Sequence, residues 1–312
     1  MPDASRDLTS ELVKLVQAMQ EIKSEEDSRV NSYEIFVNQK QTRIRNSRGV
    51  DVTFSGFDCE IEVVTNSRKD DHEIEIYRDL RFSDKSAEKI IAEVRGMFHT
   101  GRQRLNAVPT RQNEQADVLL SGDAVGSFFQ YFAMHTNASY QYMGVAKTKI
   151  GEAITGADAD PLNIRLVPTL DGSAKNAPYD ETGMPVAERV LFENGICRSY
   201  WGSLQHAHYI DMKDTTSMNN MVVEGGSKTL DELRSIPHIE ITDFSAFDMD
   251  AVSGTCGGEI RLAYESDGTT SHPTTSGSLS ARYDDVPKET QQLNNRVVPC
   301  AVLLRDVTVA GE

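Results

Sequence analysis

The sequence predicts an α+β fold, with a β-rich C-terminal domain that packs a buried helix on a sheet and a smaller N-terminal portion of strands and helices. Three observations lead there. The long apolar stripes at helical spacing fall within the first 135 residues; beyond Gly151 the apolar residues gather in short β-compatible runs between turn clusters; and the run 124–135 is apolar on nearly every side. A helix of that last kind belongs in an interior rather than on a surface.

The first element is an amphipathic helix in which Leu8, Leu12, Leu15, Val16, Met19 and Ile22 recur every three or four residues, with Ser5 or Asp7 as its cap. Residues 33–37, 41–45, 50–54 and 59–65 read as four short strands of a meander, and Asn46-Ser47-Arg48-Gly49 reads as a turn in which glycine supplies a positive backbone angle. Ala87, Ile90, Ile91, Val94 and Phe98 predict a second helix, opened by Ser83 or Asp84 and ended near Gly101. A domain boundary is placed near residues 108–114, giving a portion 1–110 and a domain 111–312.

Next, 118–120 reads as a strand, Ser121 as a cap and 124–135 as a helix whose Phe128, Phe129, Tyr131 and Phe132 favour burial. Strands are expected at 163–167, 188–193, 196–201, 221–223, 238–241, 259–264 and 300–309. A short helix is expected at 229–234, where Thr229 and Glu232 fit a capping box. The Ser, Thr and Gly-rich stretch 266–280 reads as a long exposed loop or hairpin tip.

Composition removes several function classes. Among 312 residues, 32 Lys and Arg face 48 Asp and Glu, a formal charge of −16. Counterion release from DNA or RNA needs the opposite sign, so no nucleic-acid partner is expected. No apolar run approaches the roughly 20 residues of a membrane helix, and the start of the chain lacks a secretory pattern, so the expected location is cytoplasmic. Cys59, Cys197, Cys256 and Cys300 are scattered, which predicts reduced thiols and neither a zinc module nor a disulfide framework.

Chemistry-bearing residues are few. His206-Ala207-His208 would put two imidazoles on one face of a strand, and His135 or Cys256 could complete a zinc-compatible set; the alternative is two ordinary strand histidines. Cys256 sits among Gly254, Gly257 and Gly258, where a substrate could approach a thiol nucleophile, against the plainer reading of a buried cysteine. Gly257-Gly258 has no downstream Gly-Lys-Ser or Gly-Lys-Thr, and Asp158-Ala159-Asp160 lacks the remaining ligands of a calcium loop. The alternating acidic runs 58–62 and 72–76 read as strands with one solvated face.

The order of motifs carries more than any one of them. Asn46-Ser47-Arg48-Gly49-Val50, the block 116–135, Lys149-Ile150-Gly151-Glu152, Asp160-Pro161, Asp171-Gly172-Ser173, and Ala177-Pro178-Tyr179-Asp180-Glu181-Thr182-Gly183 follow one another. Glu193-Asn194-Gly195 and Asn219-Asn220-Met221-Val222-Val223-Glu224-Gly225-Gly226 complete the series. Over residues 31–305, and most specifically over 116–226, this series resembles the TldD/PmbA family, once described as modulators of DNA gyrase.

The resemblance implies a role connected with proteolysis and peptide maturation. In the TldD branch the matching helix carries a His-Glu-x-x-x-His zinc motif, whose first His falls on Gln130, Glu on Tyr131 and last His on His135. An amide is a poor zinc ligand beside imidazole, and a phenol is a poor base at neutral pH. Moreover, residues five apart on a helix lie about 140° apart. The family's cysteine ligand has no match either, because Cys300 lacks flanking glycines.

The resemblance therefore implies the metal-free PmbA or TldE branch, a non-catalytic subunit with no cofactor and a shortened N-terminal domain. Gln130, Tyr131, His135, Asn219 and Cys256 would border a cleft that holds a peptide or unfolded protein segment. The partner would be a TldD-like chain or a second copy. The alternative is an independent zinc metallopeptidase with relocated ligands His135, His206 and His208.

Overall fold

The computed structural model describes residues 6–155, 159–280, 290–293 and 296–311. The alternative cap Ser5 and the loop residue Asp158 lie outside them. The chain forms two compact units, one from Met1–Asn106 with Pro168–Pro185, the other from Ala107–Val167 with Val186–Glu312.

In the first unit, α1 (Leu8–Gln20) is capped by Asp7, whose carboxylate accepts from the Thr9 backbone N–H. A three-stranded antiparallel sheet follows, of β1 (Ser28–Arg45), β2 (Asp51–Lys69) and β3 (His72–Phe82). The four short strands of the expected meander are in fact the two long arms of one hairpin. Pairing runs without a break from Ser32↔Val64 to Arg45↔Asp51, so the polar residues around 38–40 lie in mid-strand rather than in a turn. Only Asn46 to Gly49 reverses the chain: Asn46 Oδ1 accepts from the N–H of Arg48 and Val50, and Gly49 has φ 91°.

Along β2 Phe57, Cys59, Ile61 and Val63 alternate into the core, where they meet Leu15 and Met19 of α1 and Ile90, Val94 and Phe98 of α2 (Ala87–Leu105). Ser86, not Ser83 or Asp84, caps α2, accepting from the Lys89 N–H. The helix runs past Gly101, which is buried against Ser67 of β2 where a side chain would collide with the serine hydroxyl. Glycine there serves a close approach of helix and strand rather than a stop.

The second unit contains a seven-stranded sheet and a six-stranded sheet. Its elements begin with β4 (Val108–Pro109), β5 (Asn113–Ser121), α3 (Ala124–His135), α4 (Ala138–Met143), β6 (Ile164–Val167), β7 (Arg189–Glu193) and β8 (Ile196–Cys197). They continue through α5 (Leu204–Tyr209), β9 (Asn220–Val223), α6 (Leu230–Arg234), β10 (His238–Met249), β11 (Cys256–Ser266), β12 (Ser271–Thr275) and β13 (Ser278–Ser280). The last three are β14 (Thr290–Leu293), β15 (Arg296–Pro299) and β16 (Ala301–Ala310). The sheet orders are β13-β16-β5-β10-β11-β12-β4 and β14-β15-β9-β6-β7-β8.

Central strands of the larger sheet are covered on both faces. Val118 and Leu120 of β5 and Val302 and Leu304 of β16 join the core around α3, whereas Leu119, Ala301 and Leu303 meet Leu233 of α6. That is why these segments read as unbroken apolar runs. Phe128, Phe129 and Phe132 of α3 are buried in a core that also takes Ile164 and Leu166 from the smaller sheet. The fold is thus α+β, with the larger β region C-terminal and the buried helix where the sequence puts it.

Several local expectations are corrected. Ser121 does not cap α3; its hydroxyl donates to the Ile241 carbonyl, and Asp123 occupies the cap position without a side-chain bond. The strand expected at 196–201 stops at Cys197, because Trp201 turns back to the end of α3, where its indole N–H donates to the Ala133 carbonyl at 2.8 Å. Of the long loop or hairpin tip expected at 266–280, the hairpin forms: β11 and β12 pair around a tip in which Asp267 accepts from the N–H of Thr269 and Thr270, and β13 follows in place of loop. The capping box of α6 is present. Among the described residues no helix is long and apolar enough to cross a membrane.

Candidate functional site

α3 starts where β5 ends and presents its apolar side to the core, which leaves Ser127, Gln130 and Tyr131 on another side of the helix, while His135 at its end is buried. Ser127, Gln130, Tyr131 and Met134 line a cavity of about 200 Å³, closed on its other side by Phe247, Asp248 and Met249 of β10. Gln130 and Tyr131 are therefore cavity residues. Cys256 is buried at the start of β11 in register with Met249, and Asn219 is half-buried immediately before β9.

His135 is not accessible: its exposure is 0 %. Its Nδ1 accepts from the backbone N–H of Lys147 at 3.2 Å, so in the neutral ring the proton sits on Nε2. That Nε2 meets no hydrogen-bond partner among the described residues. The rings of Tyr131 and Tyr140 stand nearly perpendicular to the imidazole at 4.5 and 6.0 Å. Burial, with the Lys147 charge adding to it, pushes the His135 pKa down to about 4. His135 is neutral at pH 7 and part of the packing at the end of α3.

A metal does not fit this arrangement. The ring nitrogen of His135 that carries a lone pair is already bound by a backbone N–H, and its neighbours on the helix are an amide and a phenol. Among the described residues no three His, Cys, Asp or Glu side chains are placed to hold one ion. The set of relocated ligands fails on its own terms as well. His206 and His208 lie on α5, not on a strand, because Ser203 caps a helical turn through the His206 N–H. Two positions apart on a helix is about 200° of rotation, so the imidazoles diverge. His206 packs instead with Tyr142 and Tyr209.

Two residues that the sequence did not single out complete the site. Lys147 carries its ammonium over the Tyr131 ring at 5.6 Å and donates to the Ser253 carbonyl, so Tyr131 is held under a cation. Arg296 opens β15 and donates from Nη2 to Gln130 Oε1, across 166 positions of sequence. Its half-buried guanidinium has its pKa lowered by burial. No local signal could have found that pair, since one member is an ordinary helical glutamine and the other a single basic residue before a strand. Cys197, by contrast, is an inert thiol, its pKa pushed up to about 11 by burial.

The chemistry available at α3 is thus hydrogen bonding from amide, phenol, guanidinium and ammonium groups, beside the single carboxylate of Asp248 among the cavity residues. Comparison with known proteins bears on its meaning. Residues 113–311 match the family model of the PmbA/TldA metallopeptidase C-terminal domain. No curated protein matches the chain.

Among solved structures, TldE from Thermococcus kodakarensis aligns with a TM-score of 0.76 at 17% identity, over 97% of this chain and 74% of that one. A protein from Thermotoga maritima described as a modulator of a DNA gyrase aligns with a TM-score of 0.79 at 16% identity, again over 97% and 74%. One so described from Bacteroides thetaiotaomicron gives 0.75 at 14% identity, over 100% and 75%. At these identities the likeness is one of fold.

Proposed function

This chain belongs to the PmbA/TldA metallopeptidase family, and from that premise we propose that it is a non-catalytic, metal-free member of the TldE kind, which holds an extended peptide without cutting it. One observation carries the reading: at the helix where a zinc hydrolase of this family needs two imidazoles and a carboxylate, Gln130 and Tyr131 are cavity residues and His135 is sealed with its Nδ1 engaged. A site of hydrogen-bonding groups in place of metal ligands, beside an apolar floor of Met134, Phe247 and Met249, suits a peptide backbone, which offers alternating carbonyls and N–H groups.

Cleavage then belongs to another chain. The partner that cuts is a zinc-bearing TldD-like protein, acting in the cytoplasm; a second copy of this chain as partner would hold the peptide without cutting it. The link of the relatives to DNA gyrase, taken over to this chain, would run through protein contacts rather than through DNA, given a net charge of −16.

Incubation of the purified chain with unfolded casein and one equivalent of zinc tests the proposal. Casein is expected to travel with the protein on gel filtration and to remain uncut. Cleavage that vanishes in a His135→Ala variant would overturn it.

A further inference from the structure

The geometry points to Arg296, acting with Gln130, as the anchor for a carboxylate of the bound peptide. This inference rests on the peptide-holding reading and names what the peptide must offer. A guanidinium taken out of water is costly unless a counter-charge meets it. Arg296 is half-buried against α3, and among the described residues the group that it meets is the neutral oxygen of Gln130. Burial has lowered its pKa, and no carboxylate among the described residues acts in the other direction. Elsewhere in the same unit comparable cations are matched: Arg234 takes both oxygens of Glu240, Arg189 lies 3.1 Å from Asp214, and Arg165 lies 3.2 Å from Glu188.

The pair is also directional. A guanidinium can only donate, so Gln130 must turn its oxygen toward Arg296 and its amide N–H groups away. No acceptor among the described residues meets those N–H groups, and Gln130 lines the cavity. The Gln130 amide, whose oxygen is bonded to the guanidinium, thus presents polarised N–H donors, and a carboxylate that accepts from them answers the nearby charge as well, in a charge-assisted contact.

Asp248 lines the same cavity and would repel an anion placed beside it while accepting N–H groups. A ligand with a carboxylate at one point and backbone N–H groups at another satisfies both. The cavity, about 200 Å³, is below the ~300–1,000 Å³ of small-molecule pockets, which suits the end or a single side chain of a peptide rather than a whole cofactor. The carboxylate could be the peptide's C-terminus or an acidic side chain, and the probes below separate the two.

Three randomised hexapeptide mixtures serve as probes: one free of Asp and Glu with a free C-terminus, the same mixture amidated, and an amidated mixture with one internal Glu. Retention by the full chain is read by mass spectrometry after rapid gel filtration. The free-acid or the Glu-bearing mixture is expected to be retained about tenfold over the plain amidated one, Arg296→Gln to erase the difference and Arg296→Lys to restore part of it. Preference for the first assigns the C-terminus; preference for the second assigns a side chain. Equal retention of all three, or a preference that survives Arg296→Gln, overturns the anchor and leaves peptide holding in place. No retention of any mixture by the unmodified chain overturns both. Should Arg296→Gln fail to fold, Arg296→Lys and the comparison of mixtures on the unmodified chain decide.

Discussion

On the α6 side of the seven-stranded sheet Arg234 grips Glu240 through two hydrogen bonds of 2.9 and 2.7 Å, whereas beside α3 Arg296 meets the uncharged oxygen of Gln130. The first pair borders the larger depression, about 520 Å³, floored by His238, Glu240 and Thr242 of β10 and walled by Asp231 and Arg234 of α6. Of the second pair, Gln130 lines the smaller cavity of about 200 Å³. Size therefore misleads. In the larger space the charges answer one another and leave little for a ligand, while beside the smaller one Arg296 meets no carboxylate among the described residues. Unmet electrostatic demand, not volume, distinguishes a candidate site from a fold in the surface.

Substitution of the two arginines gives the widest separation. Arg234→Ala strands the buried carboxylate of Glu240 and is expected to cost about 2–3 kcal/mol in urea unfolding. Arg296→Gln removes a desolvated charge with no carboxylate partner among the described residues and is expected to change stability by less than about 1 kcal/mol, or to raise it. Equal losses at the two sites would erase the contrast.

The next effect is one of pH. His135 titrates near 4 when folded against about 6.5 when unfolded, so between these values the unfolded chain binds the extra proton. Its contribution is fully present above pH 6.5 and is lost as the pH falls toward 4, an amount on the order of 2–3 kcal/mol at about 1.4 kcal/mol per pH unit. Tm measured across that window should therefore fall more steeply for the native chain than for His135→Gln, even if the variant melts lower throughout. Parallel curves would show that α3 ends in an ordinary surface histidine. The smallest change concerns the other side: Thr229→Ala breaks the capping box of α6 and should cost about 1 kcal/mol without altering peptide retention at α3.

What the sequence reveals follows from how far apart the partners lie. Strands β5 and β16, buried on both faces, announce themselves as apolar runs, and the all-apolar face of α3 fixes that helix to the residue. Thr229 with Glu232 and Asn46 with Gly49 are equally plain, because each motif closes within four residues. Reading failed where a tertiary partner overrules local pattern. Residues 38–40 stay extended because β2 pairs with them, and His206 turns helical because Ser203 caps it. Residues 168–185 return to the first unit, which no linear boundary shows. Of the site itself, Gln130 and Tyr131 were visible as departures from a motif. Lys147 and Arg296 were not, since what matters about each is a contact made elsewhere in the chain.

Zinc content tests the central claim most directly. The native chain, purified without chelator and equilibrated with a small excess of zinc before desalting, is expected to retain far less than one ion per chain by elemental analysis. One tightly held zinc per chain, lost in His135→Ala and retained in Arg296→Gln, would contradict the account: it would place a working metal centre at the helix described here as a hydrogen-bonding surface.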